Sequence, residues 1–393
     1  MQNMLKKIHR EGFTWRDSLF IHGVIVLAIF LISEILQSFL MILIPVWLSG
    51  MDGDFTQTLA FYGSFIVAWV ILILFCIIVK SNRPILGSFW RGLKGNTVPK
   101  YLIGLLFGFG LNVLSIGAAV LHGDIRITWP GVAASAIGPL LILIVAVAVQ
   151  CGSEEILYRG YYFQRLRKGY KNPAFAIFIN PIPFMLAHVF NPGVTVLALM
   201  NVYLVGVIMS LMIYYFDSFW LAMAFHSAWN FSQNIIFGLP NSGNILGFSI
   251  GKLDTSAIGN SFFYNPNFGV EATGFTTLLM SVVFVVFCCW YAKAKNCPRI
   301  FGQSSRGGCE YCSSCRLGGG SLRIIMTMYL RFLRCACHFT DTCERACSRL
   351  TALLAGSIPL RAVPDKALNH AVLRAFLYPK KWQTIRSATI VSI

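Results

Sequence analysis

Eight stretches of mostly apolar residues dominate the chain, at roughly 18–48, 58–80, 100–122, 132–153, 172–190, 194–216, 218–237 and 272–292. Each approaches or exceeds the ~20 residues a helix needs to cross a hydrocarbon core about 30 Å thick. Backbone N–H and C=O groups find no water in that core, so a spanning segment of this kind has to satisfy them within a helix. The expected fold is therefore all-α: a polytopic integral membrane bundle of about eight transmembrane helices. Composition agrees. Charged residues are 12% of the 393, half the ~25% of an ordinary soluble domain. With aromatics at 14% the chain is no disordered polymer either.

Charge divides the sequence into two bodies. Residues 293–393 carry 16 Lys/Arg against 4 Asp/Glu, whereas residues 1–292 carry 16 against 11. The reading is a transmembrane domain over 1–292 and a basic, Cys-rich, cytoplasmic tail over 293–393 without a folded core of its own. Beside a membrane domain, such a tail points to anionic lipid headgroups rather than to nucleic acid. Eight of the twelve Cys fall between 297 and 347, but their spacing matches no standard zinc knuckle. Lys and Arg recur in alternate loops: the N-terminal segment, 81–99, 159–171 and the stretch after 292. Loops 49–57, 123–131 and 238–271 are poor in them. Positive loops face the cytoplasm, so both termini are expected there. The Gly-, Asn- and Ser-rich loop 238–271 reads as an external loop or lid, and no cleavable signal peptide is evident.

A charge at mid-membrane costs about 2.5–3.5 kcal/mol on insertion scales, so ionisable residues there are kept for a reason. Glu154 and Glu155 are adjacent carboxylates at the end of the fourth span. Glu155 and Arg159 are four apart, on one helical face, and are expected to pair as structural support. Glu154 points about 100° away and has no obvious partner on its own helix. Span five carries Phe184 and His188; span seven carries His226 and Asn230, again four apart. A rise of 1.5 Å per residue puts Glu154 about 21 Å from Lys168, His188 about 24 Å from the start of its span, and His226 and Asn230 about 12–18 Å from Ser218. One buried polar cluster is compatible with these depths. Span four is the difficult one, because a straight helix from Pro130 to Lys168 would measure about 57 Å and has to tilt or begin near Gly138. Glu34 in span one, with Ser33 and Gln37, reads as bundle lining without a function.

The three pieces, Glu154-Glu155-x-x-x-Arg159, Phe184-x-x-x-His188 and His226-x-x-x-Asn230, resemble in order and spacing the motifs of the CPBP intramembrane protease family. That family comprises CAAX-prenyl endoproteases and bacteriocin-processing enzymes, and is also called the Abi family. The likeness covers about residues 130–235, the motif core, and not spans one to three, span eight or the tail. It implies hydrolysis of a peptide bond at the membrane.

The residues suit that chemistry. Glu154, the carboxylate without a helical partner, can take a proton from water. His188 and His226 can orient that water or protonate the leaving amine, and Asn230 can donate to the oxyanion. A metalloprotease version uses the same groups, with Glu154, His188 and His226 as ligands to a zinc ion that keeps an open fourth position. The sequence lacks a His-Glu-x-x-His helix, and direct action of Glu154 is the preferred reading. The expected partners are a peptide or C-terminal segment of a membrane-associated protein and the surrounding lipids. The expected setting is a bacterial plasma membrane. The competing class is a non-enzymatic membrane protein: a proton-coupled transporter, which would also use a Glu–His cluster at mid-membrane, or a bacteriocin immunity or scaffold protein.

Overall fold

The computed structural model describes residues 8–293 except residue 91, so the tail and its cysteines lie outside the described residues. Helices occupy all eight expected regions. They are α1 (Leu19–Trp47), α2 (Gly53–Gly63) with α3 (Ile66–Ile78), a short connecting α4 (Arg83–Phe89), α5 (Val98–His122), α6 (Ile137–Glu155), α7 (Phe163–Gly169), α8 (Pro173–Ile179) with α9 (Pro181–Ala187), α10 (Val196–Phe216), α11 (Phe219–Asn230) and α12 (Gly274–Lys293). Among the described residues five stretches are long and apolar enough to cross a membrane: Leu19–Trp47, Gly53–Ile78, Val98–His122, Ala134–Gly169 and Val196–Phe216. Large side chains such as Phe20, Leu106 and Ile78 stand exposed on them, as a lipid-facing surface requires. The molecule is an all-α integral membrane bundle.

Local chemistry sets the helix boundaries. α1 runs through Pro45 to Trp47. The fourth span begins at Ile137 after a single 3-10 turn and continues through the π segment to Gly169, so it remains longer than a hydrocarbon core requires. The fifth span is broken at Asn180–Pro181, because proline has no N–H to continue the ladder. Two helices then change pitch at the residues of interest. Directly after Glu155 the chain adopts a π-helix over Ile156–Tyr162, and directly after Asn230 another over Phe231–Ile236. Single π segments inside α-helices concentrate at functional sites, since they turn the neighbouring side chains off the regular spiral.

α11 is seated against α5 at backbone distance. A Cβ at Gly104 or Gly108 would run into the carbonyls of Leu221 and Phe225, so small residues four apart permit the close approach typical of membrane helix pairs. The start of α11 is fixed separately: Asn96 Oδ1 accepts from the backbone N–H groups of Phe219 and Trp220, and the Ser218 hydroxyl accepts from Leu221. Those are among the donors a helix leaves unpaired at its N-terminus.

The connecting segments gather into two sets. Arg10 and Ile8 meet Gly169 and Lys171, and Lys94 and Gly95 meet Asp217. At the opposite set, the loop after α5 forms β1 (Ile127–Thr128), which pairs antiparallel with β2 (Lys252–Leu253) of the long loop. Phe248 of that loop reaches Thr58 of α2. The two sets coincide with the Lys/Arg-rich and Lys/Arg-poor loops of the sequence.

Candidate active site

Glu154 and Glu155 leave α6 on diverging faces, and their surroundings separate their roles. The Glu155 side chain is fully buried, while that of Glu154 keeps 18% exposure. Glu155 Oε1 accepts from Arg159 Nη1 at 3.0 Å. It also lies 3.0 Å from His226 Nδ1. One carboxylate thus joins the first and third motifs. The Arg159 guanidinium is itself buried, stacked 4.2 Å over the Phe184 ring. Gly206 on α10 leaves room for it. Phe184 in turn meets the His188 ring edge-on at 4.8 Å and the His226 ring at 6.1 Å. Phe184, expected as support, is the spacer that holds the motifs in register.

Glu154 does have a partner on its own helix, contrary to the expectation from spacing. Gln150, one turn earlier, donates through Nε2 to Glu154 Oε1 at 2.7 Å. The other oxygen, Oε2, lies 3.7 Å from His226 Nε2. Asn230 Nδ2 donates to Gln150 Oε1 at 3.1 Å and is 3.4 Å from His226 Nε2. Gln150 therefore clamps the carboxylate and the amide together.

The histidine tautomers follow from their partners. His188 Nδ1 is 2.8 Å from the carbonyl oxygen of Phe184, which can only accept, so Nδ1 carries the proton. Glu155 imposes the same state on His226. A neutral imidazole protonated at Nδ1 presents its lone pair at Nε2, the atom that His226 turns toward Asn230 and Glu154. Glu154, His188, His226 and Asn230 all line one cavity of about 540 Å³. The structure brings the four candidate catalytic residues together, although no direct contact joins His188 to Glu154. Among the described residues no group of three or more His, Cys, Asp or Glu side chains is arranged to hold a metal ion.

Two contributors went unrecognised in the sequence. Gln150 carried a usable signal, its spacing of four before Glu154. Glu271 carried none: it reaches the cavity from just before α12, at the end of the long loop. Its carboxylate accepts from Trp229 Nε1 at 3.1 Å and from the Ser242 backbone and hydroxyl at 2.5 and 3.0 Å. Burial pushes the Glu271 carboxyl above its usual range, and the Ser242 and Trp229 donors hold it back. Asn241, beside Ser242, donates to the Asn230 carbonyl at 3.4 Å. The loop is thereby tied to the helix that carries His226 and Asn230.

Residues 136–232 match the family described as type II CAAX prenyl endopeptidase Rce1-like. The matched segment holds all seven motif residues and agrees with the resemblance to the CPBP family. No curated protein and no solved structure gives a significant match to the chain.

Proposed function

Taking residues 136–232 as an Rce1-like core, we propose that the chain is an intramembrane endopeptidase with Glu154 as its general base. The substrate is a peptide or C-terminal segment of a membrane-associated protein. The observation that carries the reading is the unequal treatment of two adjacent carboxylates. Glu155 is committed to Arg159 and His226, while Glu154 keeps Oε2 facing a cavity.

Each group has one task. Water beside Glu154 Oε2 gives its proton to the carboxylate as its oxygen bonds to the scissile carbonyl carbon. A positioned base of this kind contributes about 10²–10⁴-fold. Negative charge then grows on the carbonyl oxygen. One N–H of Asn230 is used by Gln150, and the second faces His226 Nε2 at 3.4 Å, a long contact that it exchanges for the oxyanion. His226, locked by Glu155, and His188, locked by the Phe184 carbonyl, orient the water through Nε2. When the carbon–nitrogen bond breaks, the proton held by Glu154 passes to the leaving amine. The products are one new carboxylate and one new amine.

The test is hydrolysis by the full chain in proteoliposomes, using a panel of membrane-anchored peptides that includes prenylated C-terminal ones. Release of a defined C-terminal fragment is expected. Intact peptides throughout the panel would remove the protease reading.

A further inference from the structure

A polar stripe on α1 faces the same cavity and takes no part in the mechanism. Ser33, Glu34 and Gln37, with Phe30, line it at helical spacings of three and four. Glu34 lies near the middle of the 29-residue helix, where an uncompensated carboxylate is most costly. Among the described residues no hydrogen bond or ion pair reaches its carboxylate; only its backbone carbonyl is engaged, by Ser38. Ser33 Oγ is buried without a partner, and Gln37 is 5% exposed with no hydrogen bond to its amide among the described residues. Polar groups of buried residues normally have partners, so Ser33 and Gln37 await something that enters the cavity.

The wall defines what that is. Among the described residues the cavity is lined by the carboxylates of Glu34, Glu154 and Glu271 and the imidazoles of His188 and His226, and by no Lys or Arg. Glu154 is held by Gln150 and Glu271 by Ser242 and Trp229, which leaves Glu34 as the acidic group of the wall without a partner among the described residues. The rings of Phe61, Tyr62, Phe65 and Tyr158 are also in the lining. Carboxylate with aromatic faces is the environment that stabilises an organic cation. Glu34, Tyr158 and Glu154 line the same cavity, so the α1 stripe and the proposed base share one chamber. Glu34 stands exposed with Leu31 and Phe190 at the cavity's edge.

We infer that Ser33, Glu34 and Gln37 form a specificity subsite that receives a basic side chain of the peptide substrate, near the bond presented to Glu154. The inference rests on the protease reading for the identity of the ligand. A lysine ammonium has three N–H donors, and Glu34, Gln37 Oε1 and Ser33 Oγ offer three acceptors. The ammonium supplies the counter-charge that the described residues do not. An arginine fits the same acceptors with its guanidinium against the rings.

The experiment separates binding from cleavage. A fluorescent, membrane-anchored peptide carries one lysine, moved position by position along its length, and each version is paired with one bearing norleucine there. Binding is measured to the full-length parent and to Glu154→Gln in phosphatidylcholine nanodiscs, and cleavage is followed separately with the parent. At one register the lysine peptide is expected to bind at least about tenfold more tightly than its norleucine partner, in both proteins. Glu34→Gln abolishes that difference, and Glu34→Lys transfers the preference to a glutamate peptide. Lysine preference without cleavage sustains the subsite and overturns the protease reading. Cleavage with no lysine preference at any register, or a preference that survives in Glu34→Gln, overturns the subsite and leaves the protease.

Discussion

His226 Nδ1 sits 3.0 Å from Glu155 Oε1, the same oxygen that pairs with Arg159. The fixed imidazole and the buried ion pair are therefore one unit, and damage to Glu155 reaches both. Glu155→Gln leaves the Arg159 charge buried without its counter-ion, a change that costs about 3–5 kcal/mol. Its melting temperature in detergent should fall sharply, and activity should be lost together with stability. Melting curves alongside cleavage rates check this. An unchanged melting temperature would mean that the pair is dispensable.

The glycines of α5 predict a packing defect. Gly108→Val places a branched side chain against the Phe225 backbone, and Gly104→Val does the same at Leu221. Overpacking of this kind costs about 1–3 kcal/mol. Because α11 carries His226 and Asn230, hydrolysis should decline even where the protein stays folded. Thermal melts and kcat for both variants test the point, with Gly110→Val as the control, since a Cβ at Gly110 meets nothing.

Asp17 gives a pH dependence outside the membrane spans. Burial tends to raise its pKa, but the Thr14 N–H, the Thr14 hydroxyl and Lys168 outweigh it, and the carboxyl is held below its usual range. A depressed pKa stabilises the fold above the ordinary carboxylate value and loses that contribution as pH falls through the lowered one. The parent should therefore melt above Asp17→Asn at neutral pH, with the gap closing in acid below about pH 4. A gap that persists in acid would contradict the assignment.

The two sets of connecting segments make a topological prediction. Reporters fused after residues 50 and 125 should read external, and those after 90 and 295 cytoplasmic. An external reading at 295 would overturn the orientation.

Much of this was legible in the sequence, for identifiable reasons. Apolar length alone marks the eight helical regions, and the spacing of four pairs Glu155 with Arg159. Other features follow from interactions that periodicity does not record. A π segment adds one residue to a turn, so the 156–162 and 231–236 segments shift the side chains that follow Glu155 and Asn230 off the 3.6-residue spiral, a change that an almost uniformly apolar stretch does not record. The link between His226 and Glu155 joins residues 71 apart. Glu271 meets Ser242 across a loop without regular spacing. Glu34 was visible as an oddity in span one, but only the fold shows that it faces the cavity of Glu154.

The central claim is that Glu154 supplies the base and Glu155 does not. The direct measurement is cleavage of a membrane-anchored reporter peptide by Glu154→Gln in proteoliposomes, with its melting curve taken in parallel. Gln keeps the size and the contact with Gln150 but cannot take the proton. The rate should fall by about 10²–10⁴-fold, with the melting temperature at or above that of the parent, because an expensive carboxylate has been neutralised. Cleavage by Glu154→Gln at near the parent rate would contradict the account.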